Sequence, residues 1–194
     1  MGLASVKLQQ DGVLVSGSNP VPVAIAAPTS TITAGYSSSA FKTRPNDTNA
    51  YAALDVVSES ASAGTVWTFA SIGPSGGGNI IIDNISIRFD VSAIPSGLAA
   101  FRLHLYSTSP TAINDNAAFD LPSGDRAKYL GYVETPTPLD LGATLWASTE
   151  EQGFPVRKQV TVASGSLYGI LQTVGAYTPT AEAVYTVKLH AVGV

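Results

Sequence analysis

The stretch NIIIDNISIRFDVSAIP, residues 79–95, decides the class of this fold. Ile85, Ile87, Phe89 and Val91 occupy every second position, with Ser86, Arg88 and Asp90 between them. Side chains alternate faces along an extended chain, so this spacing builds a strand with one apolar and one polar face. The pattern returns in AFRLHLYS, residues 100–107, with Phe101, Leu103 and Leu105 facing in and Arg102, His104 and Tyr106 facing out. It returns again in AVYTVKLHAV, residues 183–192. There Tyr185, Val187, Leu189 and Ala191 take one face, and Thr186, Lys188 and His190 the other.

Further β-like runs separate these three: AALDVVSE, GTVWTFA, AKYLGYVE, GATLWAS, VRKQVTV and SLYGILQTV, with turn clusters such as GPSGGGN between them. No helical stripe runs beyond a couple of turns. Many short strands joined by Gly- and Pro-rich loops predict an all-β protein, an antiparallel β-sandwich of jelly-roll-like topology over residues 49–194. Trp67, Phe69, Phe89, Phe101, Leu103 and Leu105 are expected to fill the space between the sheets. The strand order is not fixed by these patterns.

Residues 1–48 read differently. Asp11-Gly12 sits between β-formers and signals a hairpin turn. The segment VSGSNPVPVAIAAPTSTITAGYSSSAF, residues 15–41, mixes prolines with aliphatic side chains. Pro20 and Pro22 lack N–H donors and hold their neighbours extended, which excludes a central strand. The segment is too apolar for a free tail. Residues 1–48 are therefore expected to form an extended arm that completes its burial on another chain. Val15, Asn19, Pro20, Val21, Pro22, Val23 and Ile25 are its candidate contact residues.

The chain has 194 residues, 45% hydrophobic and only 12% charged, about half the usual charged share. Mean hydropathy is +0.21. Low charge on a turn-rich β protein suggests surfaces covered by partners. The net charge is −4. Nucleic-acid binding draws on clustered Lys and Arg, and the ten basic residues are scattered, so no nucleic-acid partner is expected. There is no cysteine, which excludes disulfides and thiolate metal sites and fits assembly in a reducing cytoplasm. The N-terminus shows no signal-peptide pattern, and no run reaches membrane-spanning length.

The motifs of common chemistries are missing or incomplete. The Gly-rich run at 73–79 lacks the Lys-Ser/Thr of a phosphate loop. No G-x-S-x-G elbow is present. Asp115 and Asp120 do not match an EF-hand spacing, and an Asx-rich turn accounts for them. The two histidines, His104 and His190, lack an evident third ligand. An enzyme, a metal site and a cofactor are accordingly not expected. Arg88, Arg102, His104, Tyr106, Lys188 and His190, all on polar strand faces, form a possible contact face for a subunit or for an acidic or sugar-bearing ligand. Trp146, Tyr129, Tyr132, Tyr168 and Tyr177 are candidates for a sugar-stacking platform.

Residues 55–110 and 115–133, clearest in FRLHLYS and FDLPSGDR, resemble the virion structural proteins of tailed bacteriophages described as head decoration, cement or head-fibre proteins. The resemblance covers residues 49–194. VSGSNPVPV, residues 15–23, resembles a short NPLPV-like element of phage structural proteins. What the resemblance implies is a non-enzymatic protein on the outer capsid surface, made in the host cytoplasm and bound to the major capsid protein. It also implies a homo-oligomer, a trimer being preferred to a dimer. The alternative is a carbohydrate- or receptor-binding sandwich of a head or tail fibre.

Overall fold

A computed structural model describes residues 34–153 and 156–194, together with a short strand pair nearer the N-terminus. The chain divides into two compact units, Met1–Thr31 and Ile32–Val194. In the first, β1 (Gln9–Gln10) pairs antiparallel with β2 (Val13–Leu14), in the register that the Asp11-Gly12 hairpin predicts. The candidate arm residues Val15, Asn19, Pro20, Val21, Pro22, Val23 and Ile25 lie outside the described residues.

The second unit is an antiparallel β-sandwich. Its strands are β3 (Gly35–Thr43), β4 (Val56–Val57), β5 (Trp67–Phe69), β6 (Gly78–Phe89), β7 (Phe101–Tyr106), β8 (Tyr129–Glu134), β9 (Leu139–Asp140), β10 (Leu145–Ser148), β11 (Lys158–Val162), β12 (Leu167–Thr173) and β13 (Val184–Gly193). One sheet runs β3-β13-β6-β10-β9, with β11 also on β6. The other runs β4-β12-β7-β8, with β5 also on β12. Each sheet thus has a long strand faced along one edge by two short ones laid end to end: β10 and β11 on β6, and β4 and β5 on β12.

The alternating rows meet between the sheets as the sequence predicts. Ile85, Ile87 and Phe89 of β6, Phe101, Leu103 and Leu105 of β7, and Tyr185, Val187 and Leu189 of β13 join Trp67 and Phe69 in one buried cluster. Phe89 stacks on its cross-strand partner Tyr185 at 4.9 Å and meets Phe101 edge-on at 5.7 Å. Such pairs add about 0.5–1.5 kcal/mol beyond their buried area.

Ile80 and Ile82 belong to the same core yet fall out of phase with Ile85. A bulge resolves this: His190 pairs with Asn84 and Ala191 with Ile82, so Asp83 is the extra residue. The Asn84 side-chain oxygen accepts from the Thr149 hydroxyl at 2.9 Å and the Ser148 hydroxyl at 3.3 Å. The bulge therefore anchors the turn that separates β10 from β11.

The structure moves one expected boundary. Residues 35–43, placed in the arm by sequence, form β3, which pairs with β13 over its whole length. Proline ends before this point, and Tyr36, Ala40 and Lys42 alternate inward. Three consecutive serines, Ser37 to Ser39, give the strand its loop-like look. Among the described residues β3 has one partner strand and so forms the sheet edge. Its inward Lys42 bonds Glu59 at 2.9 Å, reaches the Thr65 hydroxyl, and lies over the Trp67 ring. A charge pointing inward from an edge strand discourages uncontrolled edge-to-edge pairing. Among the described residues no helix is long and apolar enough to cross a membrane.

Candidate binding face

The outer face of the β3-containing sheet presents an open, chemically diverse surface. Strand register arranges it in rows. Phe41 of β3, Thr186 of β13, Arg88 of β6 and Trp146 of β10 lie side by side. The next row is Ser39, Lys188, Ser86 and Ser148. Arg88 and Lys188 thus occupy diagonal corners of a checkerboard whose other corners are the Thr186 and Ser86 hydroxyls. Diagonal neighbours of this kind stand about 7–8 Å apart, within reach of long side chains.

A depression of about 360 Å³ is lined by Ser39, Ser86, Arg88, Trp146, Thr186 and Lys188. A second of about 290 Å³, lined by Arg88, Asp90, Thr144, Val184 and Thr186, shares the Arg88–Thr186 wall. Asp90 is engaged, accepting from the Val184 N–H at 2.6 Å. The Trp146 indole N–H donates to Glu151 at 2.8 Å, which fixes the ring. Among the described residues Arg88 and Lys188 form no ion pair, nor do Arg126, Arg157 and Lys158, whereas Lys42, Arg44, Arg102 and Lys128 do. Phe41, at the edge of the same face, is 72% exposed.

Of the six expected contact residues, this face gathers Arg88, Lys188 and His190. The other three belong to the opposite sheet, and two of them are not on the surface. His104 is 5% exposed and Tyr106 1%. The alternation correctly turns them away from the main core, but residues 107–128 fold back over them. Val56, Tyr106 and Ile170 form a second small core, with Ile113, Phe119 and Leu121 packed against it. Phe119 stacks on the His104 ring at 3.8 Å. Asp125 clasps this loop, accepting from the Thr111 N–H at 2.8 Å and from Lys128 at 2.9 Å. Arg102 remains half-buried but is engaged by Glu134 at 2.7 Å and lies over Tyr132.

The His104 bonds define its protonation. Its Nε2 lies 3.0 Å from the Gln172 side-chain oxygen, while the Gln172 amide N–H donates to the Leu54 carbonyl. Nε2 therefore carries the hydrogen, and Nδ1 accepts from the Tyr129 hydroxyl at 3.0 Å. Burial, and secondarily the charge of Arg102, hold the ring below its ordinary pKa of 6.5, against the opposing bond to Gln172. The unfolded chain then binds the proton more readily than the folded one. This contribution is complete above pH 6.5 and is lost as pH falls towards the lower folded value. Urea unfolding from pH 7.5 to about 5 should show stability falling with acid, with a shallower slope in His104→Gln. An unchanged slope would remove His104 from the account.

The aromatic platform is not assembled as one surface. Tyr177 is buried and hydrogen-bonded to Tyr185 at 2.9 Å. Trp146 lies on one sheet; Tyr129, Tyr132 and Tyr168 lie on the other.

Asp115 proves to be neither a plain turn residue nor an open ligand. It is 4% exposed, and its carboxylate accepts from Arg44 at 2.9 Å, the Tyr51 hydroxyl at 2.7 Å and the Ser58 N–H at 2.8 Å. Arg44 also donates to Tyr51, to Asp47 and to the Thr180 carbonyl. Burial pulls the guanidinium pKa down, but Tyr51 and Asp115 outweigh it and hold it above its ordinary value. Burial and the Asp115 charge raise that of the Tyr51 phenol. The group is a structural knot with every strong donor engaged.

No family model matches the chain, and no curated protein matches it. Among solved structures, the K3 cleaved adhesin domain of Lys-gingipain from Porphyromonas gingivalis is similar at 10% identity. The match covers 72% of this chain and 71% of that one, with a TM-score of 0.26, too loose a likeness to bear on function.

Proposed function

We propose that the protein is a non-enzymatic decoration, or cement, protein of a tailed-bacteriophage head. In this reading it binds the major capsid protein on the outer surface of the assembled shell, as a homo-oligomer, through its N-terminal segment. The observation that carries the reading is where the chain enters the sandwich. In sequence the proline-punctuated apolar segment immediately precedes β3, which has one partner strand among the described residues. An extended segment can add to a partner's sheet by main-chain bonds, and its prolines lessen the entropy lost on ordering. The resemblance of residues 49–194 to phage head proteins points the same way.

Residues 32–194 are a compact unit, so the test is a clean truncation. Full-length protein should co-sediment with undecorated heads. A chain lacking residues 1–31 should fold yet fail to co-sediment at any concentration tried. Normal binding by the truncated chain would refute the anchor.

The open depression between β6, β13 and β10 favours a second reading, a carbohydrate- or receptor-binding module of a head or tail fibre. Glycan binding without capsid binding would select it.

A further inference from the structure

We infer that the depression lined by Ser39, Ser86, Arg88, Trp146, Thr186 and Lys188 is a site for an acidic saccharide, a sugar that carries a carboxylate. The inference rests on the second reading above and specifies its ligand.

Charge is the first reason. In a chain of net charge −4, two cations share one depression and, among the described residues, have no ionic partner. Of the acids beside it, Asp90, in the wall of the adjoining depression, accepts from the Val184 N–H, and Glu151 accepts from the Trp146 indole N–H. Arg88 offers a planar fork matched to a carboxylate, and Lys188 a second charge from the diagonal corner.

The remaining lining points to a sugar. Three short hydroxyls, Ser39, Ser86 and Thr186, sit between and beside the cations and can both donate and accept, as ring hydroxyls require. Trp146 closes one end, its ring held by Glu151. A fixed indole presents a rigid apolar surface to the C–H face of a pyranose ring. The volume of about 360 Å³ is at the small end of the range for ligand pockets, which suits one or two sugar rings.

An acidic peptide fits less well. Peptides commonly bind sheets by adding a strand, but β6 and β13, which carry the cations, each have both edges paired, and of the strands lining the depression only β3 has an unpaired edge among the described residues. Recognition at the two cations is left to side chains, and only one lining residue is an apolar ring. Nucleic acid needs a longer basic track than two cations.

The test is titration of the full-length protein, by calorimetry and by NMR shifts, with trigalacturonate and sialyllactose. Maltotriose, lactose and hexaglutamate serve as comparisons. At least one acidic saccharide should bind and should weaken as salt rises. Arg88→Gln and Lys188→Gln should each weaken it about tenfold, the loss of a charge-assisted bond. Trp146→Ala should weaken it further, and Arg88→Lys should restore part of the loss. Both cation sites are exposed, so thermal unfolding should confirm that these variants fold.

Neutral sugars binding as tightly as acidic ones would overturn the inference while leaving the carbohydrate reading intact. No saccharide binding up to about 10 mM would overturn both. Hexaglutamate binding equally well would show a site that reads carboxylates alone, and unaltered affinity in the variants would place the ligand elsewhere. Either result overturns the assignment.

Discussion

Replacing Arg44 with methionine should destabilise the sandwich by about 3–5 kcal/mol, read as a lower urea midpoint with an unchanged slope. The reason is what the substitution leaves behind. Arg44 and Asp115 are both essentially sealed from water, with side-chain exposure of 1% each. Without the guanidinium, Asp115 is a buried carboxylate facing only the Tyr51 hydroxyl and the Ser58 N–H. Arg44 also fastens the Asp47 turn and the Thr180 carbonyl, so one substitution loosens several loops. A domain of this kind has about 5–15 kcal/mol in all. Asp115→Asn should be milder, because its amide oxygen can still accept from Tyr51 and Ser58. The double variant Arg44→Met with Asp115→Leu should not recover, since it orphans those two donors. Wild-type stability in Arg44→Met would show that the pair contributes no net stabilisation.

Removing residues 1–43 should abolish cooperative folding, whereas removing residues 1–31 should leave it intact. The longer deletion strips β3 from β13 along a nine-residue strand. It also takes away Lys42, leaving Glu59 and the Trp67 ring without their cation. Tyr36 and Ala40, packed against the main core, go with it. The combined loss should approach the whole stability, about 5 kcal/mol or more. Near-UV circular dichroism and urea titration distinguish the outcomes. A sharp transition in the longer deletion would make β3 dispensable. The distinction bears directly on the capsid experiment, because a cut inside β3 would lose binding merely by unfolding.

Much of the sandwich is legible because buried strands must alternate. β7, β13 and the Ile85–Ile87–Phe89 part of β6 announce themselves in this way. Their neighbours are harder to read for identifiable reasons. Ile80 and Ile82 are thrown out of phase by the Asp83 bulge. β3 hides because an edge strand with one packed side tolerates serines. His104 and Tyr106 sit on polar positions yet are buried, because what covers them is a loop from elsewhere in the chain. Arg44 and Asp115 are 71 residues apart, so no local pattern links them. The candidate face was half visible: Arg88 and Lys188 stand out as cations on regular strands. Their meeting with Trp146, Ser39 and each other depends on register, which alternation alone does not supply.

The position of β13 between β3 and β6 has a consequence for biosynthesis. As the chain leaves the ribosome, β3 emerges well before β13, its only partner among the described strands, and β6 waits with one edge bare. The larger sheet cannot close until translation has passed residue 193. Folding must therefore wait on contacts between distant parts of the chain, the regime in which β proteins fold in about milliseconds to seconds. During that interval the nascent chain exposes an unfinished sheet. The serine-rich, lysine-bearing character of β3 then suits a strand that must stay unattached until its partner is made.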